Sequence, residues 1–225
     1  MYATTYRSAG EINQAMGRVY GYMGLAVLVS MLVSYVVGTN PDLVKFFFTG
    51  IMHWVVLFAP LAAVFILVPF VSANPPKPLA VAALCGFAGL MGLSTAVIFA
   101  VYTMMSIVNA FMGAAVLFGV MSIYGYFTKK DLSGLGSLLF VGLIAIIIAS
   151  IINIFIGSTV MQMVISAIAI VIFLGFTAYD TQTIREMVSD SSSDTSVEVL
   201  GALNLYLDFI NLFLSLLQLF GSKED

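Results

Sequence analysis

Hydrophobic residues in this chain come in long unbroken runs, and most charges fall at the edges of those runs. A helix that crosses a hydrocarbon core of about 30 Å needs about 20 apolar residues, whereas a barrel strand needs about ten that alternate with polar ones. The runs here are continuous and of helix length. The first fits residues 19–37, closed by Gly38-Thr39-Asn40-Pro41, and the second fits 53–71, closed by Asn74-Pro75-Pro76-Lys77-Pro78. From Leu79 to Thr128 fifty residues pass without a charge, too many for one helix; they divide near Tyr102 to Ser106 into spans 79–101 and 107–127. Lys129-Lys130-Asp131 ends the fourth span, and the next uncharged stretch, Leu132 to Tyr179, divides at Gly157-Ser158-Thr159. That places a fifth span at 135–156 and a sixth at 160–188; after the polar loop from Asp190 to Ser196, a seventh covers 199–220. The pattern predicts an all-α integral membrane protein whose residues 1–225 form a single transmembrane domain of seven helices.

Composition agrees. Hydrophobic residues make up 61% of the chain and charged residues 8%, against about 25% charged in an ordinary soluble domain. In water so much apolar surface would drive association; the lipid bilayer is the expected surrounding, and it demands that backbone polar groups be satisfied within each span. The net charge of −3 gives no reason to expect nucleic acid. The lone cysteine, Cys85, excludes an internal disulfide framework and reads as a small buried hydrophobe. The lone histidine, His53, stands beside Trp54 at the start of a span, where interfacial anchoring is the ordinary role. One His and one Cys make no metal set, and no cofactor is expected. Gly92-Leu93-Ser94-Thr95 superficially resembles a serine nucleophile site, but its histidine would have to come from a membrane edge, so no enzyme is expected. The first twenty residues hold Arg7, Glu11 and Arg18 and no apolar core, so the first span is expected to act as its own insertion signal.

Lysine and arginine favour the cytosolic side. Arg7, Arg18, Lys77, Lys129, Lys130 and Arg185 fall on the N-terminal side of the predicted spans, and only Lys45 and Lys223 on the other. The N-terminus is therefore predicted to be cytosolic and the C-terminus outside. Short loops and bare termini suit a bacterial inner-membrane protein.

Within the spans the rare polar groups carry the information. Asp208 lies near the middle of the seventh span, at a depth where insertion scales charge about 2.5–3.5 kcal/mol for a carboxylate. Asn204, Asp208, Asn211, Ser215 and Gln218 are spaced 4, 3, 4, 3, which puts them on one helical stripe. Amides alone would suit helix–helix adhesion; a carboxylate among them points to a pathway, with Asn204, Asn211 and Ser215 as lining residues. Asp180 lies nine residues before Ser189, and Asp208 ten residues after Glu198. Both are therefore about 13–15 Å from the connecting loop, on consecutive antiparallel helices. Two carboxylates at one depth can meet, and in a medium poorer than water they are expected to share a proton.

Four pieces then resemble the Bax inhibitor-1 family, also called the transmembrane BAX inhibitor motif or lifeguard proteins. They are Ser122-Ile123-Tyr124-Gly125-Tyr126-Phe127-Thr128-Lys129-Lys130-Asp131-Leu132, Asn153-Ile154-Phe155, Ala178-Tyr179-Asp180-Thr181-Gln182 and Leu205-Tyr206-Leu207-Asp208-Phe209-Ile210-Asn211-Leu212-Phe213. The resemblance runs from about Ala9 to Phe220 and is strongest in the second half. It implies two layers of three helices around a central seventh helix, a pH-sensitive calcium leak and, in eukaryotic members, protection from stress-induced cell death. The family's paired aspartates fall on Asp180 and Asp208, which become the expected gate, pH sensor and transient calcium contact. One departure matters: some members carry an arginine in the second span, and Trp54 to Val71 holds no basic residue. Gating details that depend on that arginine do not carry over.

The first functional reading is thus a leak for calcium or another cation, controlled by protons. A second is a non-conducting regulator that binds other membrane proteins in quality control or stress survival. A proton-coupled transporter is a third, although no matched pair of broken helices is visible in the sequence.

Overall fold

The computed structural model describes residues 7–190 and 195–224. Part of the polar loop expected between the last two spans, residues 191–194, lies outside the described residues. Among the described residues the helices are α1 (Ala9–Gly38), α2 (Pro41–Phe47), α3 (Gly50–Ser72), α4 (Lys77–Thr95), α5 (Ile98–Val101), α6 (Met104–Phe127), α7 (Ser133–Ile156), α8 (Thr159–Ser189) and α9 (Thr195–Phe220). Seven stretches are long and apolar enough to cross a membrane, with α4 and α5 together making the third, Lys77–Val101. The protein is an all-α integral membrane protein.

Helix ends follow local chemistry. The first helix begins ten residues before the expected Val19. Ser8 Oγ accepts the Glu11 N–H while the Glu11 carboxylate takes the Ser8 N–H at 2.8 Å, a reciprocal cap that starts a helix ahead of its apolar run. The short α2 was not expected either; Asn40 caps it by accepting from Asp42 and Leu43 N–H, and Pro41 occupies its first position. The third span, expected to be continuous over 79–101, breaks after Thr95. Thr95 Oγ1 donates to the carbonyls of Met91 at 2.9 Å and Gly92 at 3.3 Å, and such back-bonding bends a helix. The expected turn near Tyr102 is extended backbone, after which Thr103 Oγ1 caps α6 by accepting the Ser106 N–H at 3.3 Å. Gly157, at φ 68°, ends α7 in the left-handed conformation that glycine adopts without cost.

The chain forms two compact units. The first comprises Met1–Tyr102, Glu186–Tyr206 and Lys223–Asp225. Within it α4 is the hub, packing against α1 and α3. Its Phe87 meets the ring of the fully buried Tyr206 edge-on at 6.2 Å. The second unit comprises Thr103–Arg185 and Leu207–Ser222. Phe111 and Phe118 of α6 pack edge-on against Phe209, and Phe111 also against Phe213.

Close approach in the second unit depends on Gly125 of α6. A Cβ there would fall on the Ala178 carbonyl of α8. Gly125→Ala is therefore expected to lower stability by about 1–3 kcal/mol, the usual cost of overpacking. Gly119 on the same helix has nothing within 4 Å of a Cβ position, so Gly119→Ala is expected to be neutral or slightly stabilising. Thermal unfolding of the two variants in detergent checks the contrast; equal effects would contradict it.

Candidate functional site

The last helix differs from the others in its burial. Of its most apolar stretch 72% is buried inside the protein, against 6% to 33% in the other six spans. Between Gly201 and Gln218 its only unburied positions are Asn204, Leu207, Asn211, Leu214 and Gln218. Their spacing of 3, 4, 3, 4 defines one narrow open line along the helix. The stripe read from the sequence is thus divided. Asn204, Asn211 and Gln218 stand on the open line, whereas Asp208 and Ser215 are turned into the protein, at 5% and 7% exposure.

Asp208 faces Asp180 of α8, near enough for the two carboxyl groups to share a hydrogen bond. Asp208 Oδ2 is buried with no partner among the described residues. A bond between the two carboxyl groups would require a proton, since an ionised carboxylate only accepts.

The residues around Asp180 fix its position. Thr181 Oγ1 and Ser122 Oγ of α6 lie 3.1 Å apart. The buried Gln182 clamps the loop before α7: its Oε1 accepts the Leu132 N–H at 2.8 Å, and its Nε2 donates to the Lys130 carbonyl at 2.9 Å. Tyr179 packs its ring where a side chain on Gly136 would stand, and Arg185 lies over the Tyr126 ring at 4.9 Å. Every residue from Ala178 to Gln182 therefore has a neighbour that sets the rotation of α8, and with it the direction of the Asp180 side chain.

The other expected lining residues behave differently. Asn211 Nδ2 donates to the Leu207 carbonyl at 2.8 Å and Ser215 Oγ to the Asn211 carbonyl at 2.7 Å, so both bond to their own helix. The exposed Asn204 side chain has no partner among the described residues. No three His, Cys, Asp or Glu side chains among the described residues are placed to hold a metal ion.

One cluster was not foreseen. Glu198, at 5% exposure near the start of α9, takes a forked pair of bonds from Arg18 of α1, Nε to Oε1 at 3.0 Å and Nε to Oε2 at 2.9 Å, with Nη2 also on Oε1. Lys77 Nζ of α4 reaches Oε2 at 3.2 Å and lies 5.6 Å over the Tyr22 ring. The only signal in the sequence was that these three charges sit at the same predicted end of three spans.

Comparison with known proteins gives the family. Residues 12–225 match the family described as inhibitor of apoptosis-promoting Bax1. Inner membrane protein YbhL of Escherichia coli K12 is 38% identical over 218 residues, covering 93% of this chain and 92% of that protein. Protein RP147 of Rickettsia prowazekii is 36% identical over 219 residues, covering 95% of this chain and 92% of its own length. A Deinococcus radiodurans protein is 32% identical over 224 residues, covering 98% and 96%. With residues 12–225 matched, the chain belongs to the Bax inhibitor-1 family.

Proposed function

We propose that the protein is a pH-sensitive leak for calcium or a related cation, gated by a proton shared between Asp180 and Asp208. The observation that carries this reading is the facing pair of carboxyl groups on two membrane-spanning helices, with Asp208 buried. Burial and like charge both oppose ionising the two groups together. They titrate as a pair, so no single value belongs to either residue. One shared proton makes a latch between α8 and α9. Its loss leaves repulsion, or a doubly charged site that a divalent cation can enter. A second proton removes the charge assistance of the bond. The open line of α9 supports the reading further, because an unpartnered amide such as Asn204 is costly against lipid and satisfied against water.

The relative YbhL, named as an inner-membrane protein, supports a bacterial inner membrane for this chain as well. The proposed orientation keeps the N-terminus in the cytosol. A reporter fused after the last residue and active only outside the cytosol is expected to be active; activity of a cytosol-only reporter there would refute the orientation.

The test of function is calcium efflux from liposomes holding the purified protein and a calcium dye. The leak reading requires flux above protein-free liposomes somewhere between pH 6 and 8. Absence of flux across that interval would favour the non-conducting regulator.

A further inference from the structure

Ten residues beyond Asp208, about 15 Å along the helix, the open line of α9 reaches Gln218, which ends in a polar cluster joining α7, α8 and α9. Gln218 Oε1 accepts from Gln162 Nε2 at 2.7 Å and from Ser166 Oγ at 3.1 Å. Gln162 Oε1 accepts from Asn153 Nδ2 at 3.2 Å, and Asn153 Oδ1 accepts the Ser158 N–H at 3.1 Å. Ser166 and Asn153 are buried, at 1% and 7% exposure, so the cluster is rooted in the protein and reaches outward only through Gln162 and Gln218.

Adhesion between helices would need only the buried members. Here the outermost member stands on the open line itself, in register with Asn204 and Asn211. Hydrogen bonds between membrane helices are individually weak, so such a cluster holds helices together and still reopens. Its side chains are all neutral, in contrast to the carboxyl pair.

We propose that Asn153, Gln162, Ser166 and Gln218 form a second closure, at the aqueous face of α9 and about 15 Å along the helix from the aspartate pair, which lies inward of that face. The proposal rests on the reading of that face as water-lined, and its test does not use calcium flux. A single cysteine is placed at Asn211, between the two closures, in a Cys85→Ala background. The full-length protein in liposomes is then treated with a membrane-impermeant maleimide from each side in turn. Labelling is expected to be slow in this background. It should become about five- to ten-fold faster, the yield of losing one or two such bonds, on Gln218→Ala. Gln162→Leu, which removes one of the two α8 donors and leaves Ser166, should accelerate it less than Gln218→Ala, and the two changes together no more than Gln218→Ala alone. Labelling that proceeds but ignores both substitutions would overturn the second closure and leave the leak reading standing. No labelling in any variant would mean that the face meets lipid, which overturns the closure and the water-lined pathway together.

Discussion

Asp208→Asn and Asp180→Asn should each flatten the pH dependence of calcium flux. If one proton controls the balance between closed and conducting states, that balance shifts by at most about ten-fold per pH unit. Over the interval from pH 6 to 8 the wild type should change flux by one to two orders of magnitude at most, and each variant by less than about two-fold. Asparagine keeps the size of the side chain and both kinds of hydrogen-bonding atom, but holds no titrating proton. Two other groups need attention. The chain's one histidine is His53, and His53→Gln is the control that should leave the profile intact. Asp131, in the loop before α7, has its carboxylate held below the usual range by its hydrogen bonds to Ser133, so it stays ionised throughout. A variant at either aspartate that conducts with the wild-type profile would rule out the latch.

A second large effect is expected at Glu198, and it should be unequal between partners. The Glu198 side chain is 7% exposed, whereas those of Arg18 and Lys77 are each 40% exposed. Removing the acid leaves two cations that turn into water, so Glu198→Gln should cost about 1 kcal/mol. Removing both cations leaves a carboxylate buried and unpaired. Arg18→Ala with Lys77→Ala should therefore cost about 3 kcal/mol, the lower end of the range for a broken buried pair. Arg18→Ala alone should fall between, because Lys77 remains. Unfolding midpoints in detergent measure the order, and a double cation variant as stable as Glu198→Gln would contradict this account of the cluster.

The helices were legible in the sequence because a membrane span is written as an uninterrupted apolar run. The break at Gly157 was legible too, and so was a division near Tyr102, although a tight turn was expected there and the backbone is extended. The start of α1 was hidden because its first ten residues hold too many polar groups to read as a span, and they are helical for a different reason, the Ser8–Glu11 cap. The break after Thr95 was hidden because every residue around it is apolar or small, and only the hydroxyl's back-bonding shows it. At the site, equal depth from the loop brought Asp180 and Asp208 together correctly. Of the polar stripe, residues 204, 211 and 218 stand on the open line and residues 208 and 215 are buried, while Leu207 and Leu214 complete the line. Which face of a helix lies open is decided by its neighbours as well as by its own residues. For the same reason the Arg18–Lys77–Glu198 cluster, drawn from three helices far apart in sequence, had no local signature.

The shared proton is the centre of the account, and infrared difference spectroscopy of the protein in liposomes reads it most directly. A carboxylic-acid band that is present in the wild type and absent from the Asp180→Asn, Asp208→Asn double variant belongs to the pair. The account predicts that this band changes between pH 6 and 8, over the same interval in which calcium flux from the same liposomes changes. A band that stays constant while flux varies, or no band at any pH in that interval, would contradict it.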